Sequence, residues 1–272
     1  MAPGWQYSSC ARERGLSMTD KQSPAGDALA RYSRQVMLPG FGRQGQQRLL
    51  ASKVLIVGLG GLGSPAAMYL AAAGVGELLL ADFDAVDLSN LQRQILHTSD
   101  RIGRPKADSA VATLAALNPD VRLKPIKRSL NAERLRDLAR QVDLVVDASD
   151  NFQTRFAVNA ACVEAGIPLV SGAAIRTEGQ VAVFAGRPGG PCYQCLYPSD
   201  AAGDETCALE GVLAPVVGII GSIQATEAIK VLTGYGEPLS GRLLLLDALT
   251  MQWRELRIPA DPACPVCGGE RG

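Results

Sequence analysis

The sequence holds one histidine, His97, among 272 residues, and it has no evident partner for a serine or cysteine triad of the usual kind. Aromatic residues are scarce as well: five Phe, two Trp and six Tyr. So thin a set argues against the stacking platforms that hold single-stranded nucleic acid. Excess charge of either sign is also missing, because 27 Lys and Arg stand against 27 Asp and Glu. That balance excludes a protein living on bulk attraction to nucleic acid or anionic lipid, so neither nucleic acid nor membrane is expected as a partner. Residues 1–27 mix Gly, Ser, Pro, Arg and Glu without an apolar core, so they read as a disordered leader rather than a secretory signal, and Met18 is an alternative start. The uncharged run over residues 54–76 is long enough to span a bilayer. Its glycines and Pro65 make it read instead as strand, tight turn and helix.

What is present is the composition of a globular chain, 47% apolar and 20% charged, with length enough to bury a large core. Short apolar runs alternate with helical patterns. Residues 53–57 (KVLIV), 77–81 (ELLLA), 121–126 and 142–148 read as strands, and 64–73, 106–118, 132–140 and 152–165 as helices. Such alternation predicts parallel strands joined by right-handed crossovers. After a strand at 169–171 the texture changes. Residues 180–185 read as a hairpin or edge strand, 187–215 as a long Gly-, Pro- and Cys-rich loop, 216–232 as a buried helix, and 243–246 and 252–258 as closing strands. A loop of that length inside a compact domain tends to be functional or cross-linked.

Gly58-Leu59-Gly60-Gly61-Leu62-Gly63 follows the first strand and opens a helix, so the backbone can approach a phosphate at a positive helix end. Asp82 ends the second strand, where a carboxylate can bond ribose hydroxyls. Ser89-Asn90-Leu91-Gln92-Arg93-Gln94 and Gly103-Arg104-Pro105-Lys106 place cations at the carboxyl end of the sheet, as a triphosphate undergoing displacement requires. Asp150-Asn151 stands at another strand's end, suited either to Mg²⁺ or to capping the helix that starts at Phe152.

Cysteine is used unevenly. Cys192-x-x-Cys195 and Cys264-x-x-Cys267 have the spacing of two metal knuckles, enough for a closed tetrahedral zinc site of four thiolates, with a redox pair as the competing reading. Cys207 sits alone among acids as a candidate covalent relay. Cys162, inside a helix, reads as core. His97 reads as a positioning or surface residue. With no export signal and no disulfide framework, a reducing cytoplasm is expected.

As a set, Arg31-Tyr32-Ser33-Arg34-Gln35, the glycine turn, the 89–94 segment, Gly103 to Lys106, Ser149-Asp150-Asn151, Cys192-Tyr193-Gln194-Cys195, the Cys207 loop and Cys264-Pro265-Val266-Cys267 resemble the ubiquitin-activating-like adenylyltransferases of bacteria. These serve molybdopterin and thiamine thiazole biosynthesis. The resemblance covers residues 28–269. Residues 171–180 look like the molybdopterin branch, whereas Gln252-Trp253-Arg254 and the terminal Cys264 to Gly269 look nearer the thiazole one. It implies that MgATP is attacked at its α-phosphate by the terminal glycine carboxylate of a small ubiquitin-like sulfur-carrier protein ending in Gly-Gly, with pyrophosphate released. Gly61, Asp82, Ser89, Asn90, Leu91, Gln92, Arg93, Lys106 and Asp150 then match nucleotide-binding positions, Asp150 holding Mg²⁺. Arg34 matches an arginine that reaches into a neighbour's site, implying a homodimer. Cys207 matches a residue that joins the carrier in the thiazole branch. A separate protein is expected to donate sulfur.

The expected fold is α/β, a Rossmann-like, mostly parallel sheet with helices on both faces, C-terminal antiparallel strands and a four-cysteine zinc site. One domain over 28–272 is expected, with a nucleotide part at about 28–172 and a carrier and zinc part at about 173–272. A nicotinamide-dependent oxidoreductase and a non-catalytic zinc scaffold stand as readings of other classes.

Overall fold

A computed structural model describes residues 29–186, 189–197 and 211–268. The expected leader and Cys207 lie outside the described residues. Two short helices come first, α1 (Ser33–Val36) and α2 (Gly42–Ala51), followed by β1 (Lys53–Val57), α3 (Gly63–Ala73) and β2 (Glu77–Ala81). Next come α4 (Lys106–Leu117), β3 (Arg122–Ile126), α5 (Ala132–Ala139), β4 (Leu144–Asp147), α6 (Phe152–Ala165), β5 (Leu169–Ile175) and β6 (Glu178–Phe184). The last elements are α7 (Tyr193–Leu196), α8 (Ala214–Thr233), β7 (Arg242–Asp247) and β8 (Gln252–Arg257).

All eight strands form one sheet in the order β3-β2-β1-β4-β5-β6-β7-β8. The first five pair in parallel, and β5 to β8 pair antiparallel. Strands β1 and β2 read as nearly unbroken apolar runs because both of their faces are covered. Their alternate side chains feed two cores. Val54, Ile56, Leu78 and Leu80 join the residues of α3, α4 and α8 on one face. Leu55, Val57, Leu79 and Ala81 meet α5 and α6 on the other.

Among the described residues, α8 alone is long and apolar enough to cross a membrane. Its Val216, Val217, Ile220, Ala225 and Ala228 are instead packed into the first core.

The sheet reverses direction of growth between β1 and β4. The chain leaves β1 toward α3 on one face and leaves β4 toward α6 on the other, so a crevice opens at the carboxyl ends of these two strands. This places the functional site.

The structure differs from the sequence reading at several elements, for physical reasons. β5 continues past Ser171 to Ile175 because β6 pairs with it residue for residue from Leu169↔Phe184 to Ile175↔Glu178. The turn between them uses Arg176 at φ 52. α8 starts at Ala214, with Pro215 in its first turn, where proline is tolerated. The α1 and α2 helices had no clear apolar period to reveal them; α2 carries two glycines and buries only Gly45, Gln46 and Leu49.

Candidate functional site: a cleft at the carboxyl ends of the parallel strands

The crevice is a cleft of about 660 Å³, within the size range of small-molecule sites. The glycine turn forms its floor. Gly58 has φ 90, and a Cβ there would stand 2.6 Å from the Ala148 carbonyl of the neighbouring strand's end. No side chain is tolerated at that crossing. Gly61 faces α8, where a Cβ would lie 2.8 Å from Val217.

Asp82 ends β2, half-buried, and its two oxygens accept hydrogen bonds from Leu59 N at 2.8 Å and Asp84 N at 2.9 Å. The acid expected to face ribose therefore also holds the glycine turn in place. Burial raises its pKa above the usual carboxylate value, opposed by Lys106 and by those two amides.

Lys106 opens α4 and is buried, donating from Nζ to Asp84 Oδ2 at 2.9 Å. Its backbone N–H donates to the Asp84 carbonyl at 2.8 Å. Asp84 was missed at the sequence level, although it lies two residues beyond Asp82. Its carboxylate balances the buried ammonium.

The 89–94 segment folds as a short turn capped by Asp87, whose Oδ1 accepts from Ser89 N at 2.8 Å and from Ser89 Oγ at 2.5 Å. These bonds from Ser89 lower the Asp87 pKa. Arg93 donates to Ser89 O at 3.2 Å, and Gln94 to Asn90 Oδ1 at 2.9 Å. Ser89, Asn90, Gln92, Arg93 and Gln94 line the cleft, whereas Leu91 does not.

Beyond β4, Asn151 rather than Asp150 caps α6: its Oδ1 accepts from Thr154 N at 2.8 Å. Asp150 is left exposed on the cleft wall, its carboxylate touched only loosely by Asn151 Nδ2 at 3.4 Å. The neighbouring Asp147 is wholly buried and accepts from Ser149 N and Oγ and from Ser171 Oγ. Burial raises its pKa. Buried Arg155, on α6, donates to Ser149 O from Nε at 3.3 Å and Nη2 at 2.8 Å.

Arg128 and Arg155 also line the cleft, and neither was singled out from the sequence. Arg128 reaches the wall because β3 runs alongside β2, with Ile126 paired to Ala81. Arg34, by contrast, is exposed on α1 and stands outside the wall of this cleft.

His97 is buried, not at the surface. Its Nε2 lies 3.0 Å from the Leu59 carbonyl and Nδ1 2.9 Å from Ser109 Oγ. A carbonyl only accepts, so Nε2 carries the proton and Nδ1 accepts from the hydroxyl. Burial lowers its pKa, partly opposed by the Leu59 bond. The neutral ring ties the glycine turn to α4.

Away from the cleft, Cys192, Cys195, Cys264 and Cys267 place their sulfurs within 4.8 Å of one another. Cys192 and Cys264 are 3.7 Å apart, and Cys195 and Cys267 3.3 Å. Zinc–sulfur bonds of about 2.3 Å at tetrahedral angles set sulfurs about 3.8 Å apart, so the donor set fits zinc. Cys162 is buried elsewhere in the second core, where burial raises its thiol pKa and keeps it protonated.

A family model described as the ThiF family matches residues 32–266. The chain is 50% identical over 240 residues to the molybdopterin-synthase adenylyltransferase of Escherichia coli K12, covering 88% of this chain and 96% of that one. It is 48% identical over 239 residues to the sulfur carrier protein ThiS adenylyltransferase of the same organism, with 88% and 95% covered. In structure it is similar to E. coli MccB crystallised with ATP, at a TM-score of 0.74 and 25% identity over 83% of this chain and 68% of that one.

Proposed function

Because the chain belongs to the ThiF family, we propose that it adenylylates the C-terminal glycine of a small ubiquitin-like sulfur-carrier protein ending in Gly-Gly, as in molybdopterin biosynthesis. The observation that carries this reading is the convergence of Arg93, Lys106 and Asp150 on one cleft floored by a glycine turn. The carrier's carboxylate oxygen bonds to the α-phosphorus of MgATP, the bond to the β-phosphate oxygen breaks, and pyrophosphate leaves. The nucleophile is already an anion, so no general base is required, and a cleft without histidine is adequate to the task.

The residues then divide the work. Lys106 and Arg93 hold charge on the transferred and leaving phosphates, and Asp150 holds the Mg²⁺ that travels with the substrate. Gly61 lets the backbone approach the phosphates, and Asp82 accepts from ribose while fixing the turn. Ser89, Asn90 and Gln92 line the same wall, and Leu91 lies between them in the chain but off that wall. Arg34 is assigned to the cleft of the second copy in a homodimer, consistent with its place outside its own. Zn²⁺ on Cys192, Cys195, Cys264 and Cys267 would be structural, since four thiolates leave no open position.

A separate protein would supply sulfur to the adenylate. Cys207 stays a candidate relay outside the described residues. We place the protein in the cytoplasm, where thiol ligands stay reduced. The terminal Gln252-Trp253-Arg254 and Cys264 to Gly269 favour a second reading, the equivalent adenylyltransferase of thiazole biosynthesis.

The decisive experiment is ATP–pyrophosphate exchange with purified carriers from the two pathways. Exchange with the molybdopterin-synthase carrier is expected. Exchange with the thiazole carrier alone reverses the branch, and nicotinamide reduction without exchange overturns the function.

A further inference from the structure

One side chain outside the cleft has two defined polar partners at the four-cysteine cluster. Asn159 of α6 is fully buried at 0% exposure. Its Oδ1 accepts from Tyr193 N at 2.9 Å, and its Nδ2 donates to Cys192 Sγ at 3.5 Å. The amide's orientation is not ambiguous: the Tyr193 N–H can only donate, so the oxygen faces it and the NH2 faces the sulfur.

Asn159 also has a helical neighbour in the cleft. Arg155 lies one turn earlier on the same face of α6, with its guanidinium on the Ser149 carbonyl in the cleft wall. The N-cap of that helix, Asn151, adjoins Asp150. Aromatic rings lash the α7 knuckle to the same helix. Tyr193 meets Phe156 at 5.7 Å and Phe184 at 6.1 Å, while Tyr197 meets Phe152 at 5.8 Å. One rigid helix thus ends at the cleft and carries, along one face, a bond to the cleft wall and a bond to a candidate metal ligand.

We propose that Asn159 is a positioning residue that orients Cys192 for zinc and, through α6, couples occupation of the four-cysteine site to occupation of the cleft. The proposal rests on the nucleotide-cleft and zinc readings above. Outer hydrogen-bond partners of metal ligands hold the ligand's direction, and their removal typically costs roughly 10–100-fold in affinity. Coupling between sites is reciprocal, so a filled cleft must also retain the metal.

The test is the rate of zinc release from the purified zinc-loaded protein to a chromophoric chelator, with and without MgATP. Wild type is expected to release zinc about fivefold more slowly with MgATP. Asn159→Leu removes both bonds and is expected to release zinc at least tenfold faster, with little effect of MgATP. Asn159→Asp retains the acceptor for Tyr193 N but sets a carboxylate against the thiolate. It supplies the folded variant should leucine disrupt the core, and is expected to lose zinc faster than wild type with the MgATP effect weakened. Wild-type release rates in Asn159→Asp, or equal slowing by MgATP in wild type and variant, overturn the coupling while leaving adenylylation standing. A wild-type protein that binds MgATP but holds no zinc removes the zinc reading and this proposal together. One that holds zinc but binds no MgATP strikes the proposed function instead.

Discussion

The inner parallel strands and the outermost antiparallel strand of the sheet are held in place by different physics. In the parallel half, β2 is buried at all five positions and β1 at four of five. In the antiparallel half, all six residues of β8 are exposed. Full burial of an aliphatic side chain contributes about 1.5–3 kcal/mol, so β1 and β2 are stabilised by their own packing, whereas β3 at the edge has no buried position. The outer strand of the antiparallel half has little of this. It is followed instead by the buried Ile258 and Cys264, and is tied by the Arg242–Glu255 pair and by four sulfurs. Where apolar area runs out, the cysteine cluster and the aromatic cluster beside it take over. Five of the chain's aromatic residues cluster around the knuckle, where Phe152, Phe156, Phe184, Tyr193 and Tyr197 touch one another.

The sharpest test of the comparison separates chemistry from packing. Asp150→Ala should lower ATP–pyrophosphate exchange by roughly 10²–10³-fold, the usual cost of losing a group that stabilises developing charge. Its melting temperature should be unchanged, because Asp150 is exposed and Asn151 makes the cap. Undiminished exchange would remove Asp150 from the mechanism.

Next in size, stripping the metal with a chelator should free the amides of β7 and β8 to exchange with solvent while those of β1 and β2 stay protected. Uniform exchange across the sheet would show that the two halves share one support.

A third contrast uses side chains alone. Ile56→Ala, at a position with 0% exposure, should cost about 2–5 kcal/mol in chemical denaturation. Leu256→Ala on β8, 51% exposed, should stay within about 0.5 kcal/mol. Equal costs would dissolve the distinction.

The smallest effect is one of pH. His97 has its pKa lowered by burial below the ordinary value of 6.5, so the unfolded chain binds the proton more readily. Its contribution to stability is present above pH about 6.5 and is lost as pH falls through that value toward the folded pKa. Asp147, with its pKa raised by burial, acts in the opposite sense, so the readout is a difference. Melting temperatures between pH 5 and 8 should fall on acidification more steeply in wild type than in His97→Asn. Parallel curves would mean that the ring is not held neutral.

Much of this molecule was legible because its chemistry is local in sequence. The glycine turn, the strand before it and the acid after β2 follow one another along the chain, and the two Cys-x-x-Cys pairs announce themselves by spacing. What was not legible depends on register. Arg128 enters the cleft only because β3 pairs beside β2, and Arg155 only because α6 turns it back toward Ser149. Asp84 acquires meaning from Lys106, 22 residues away and in contact only after α4 folds back. The choice between Asp150 and Asn151 as cap was open in the sequence and was settled by the direction of one side chain. Asn159 had no signal at all, since a buried amide within a helix looks like any other until its partners are placed.

The strand order has one more consequence, for solubility. An open sheet leaves two edge ladders, which among the described residues are those of β3 and β8, and such ladders can recruit other chains. β3 carries Pro125, which has no N–H to offer, between Lys124 and a loop with Lys127 and Arg128. β8 presents Arg254, Glu255 and Arg257 at exposed positions. Both ladders are therefore guarded by charge or by a missing donor, and growth of aggregates strand upon strand is discouraged at either end of the sheet.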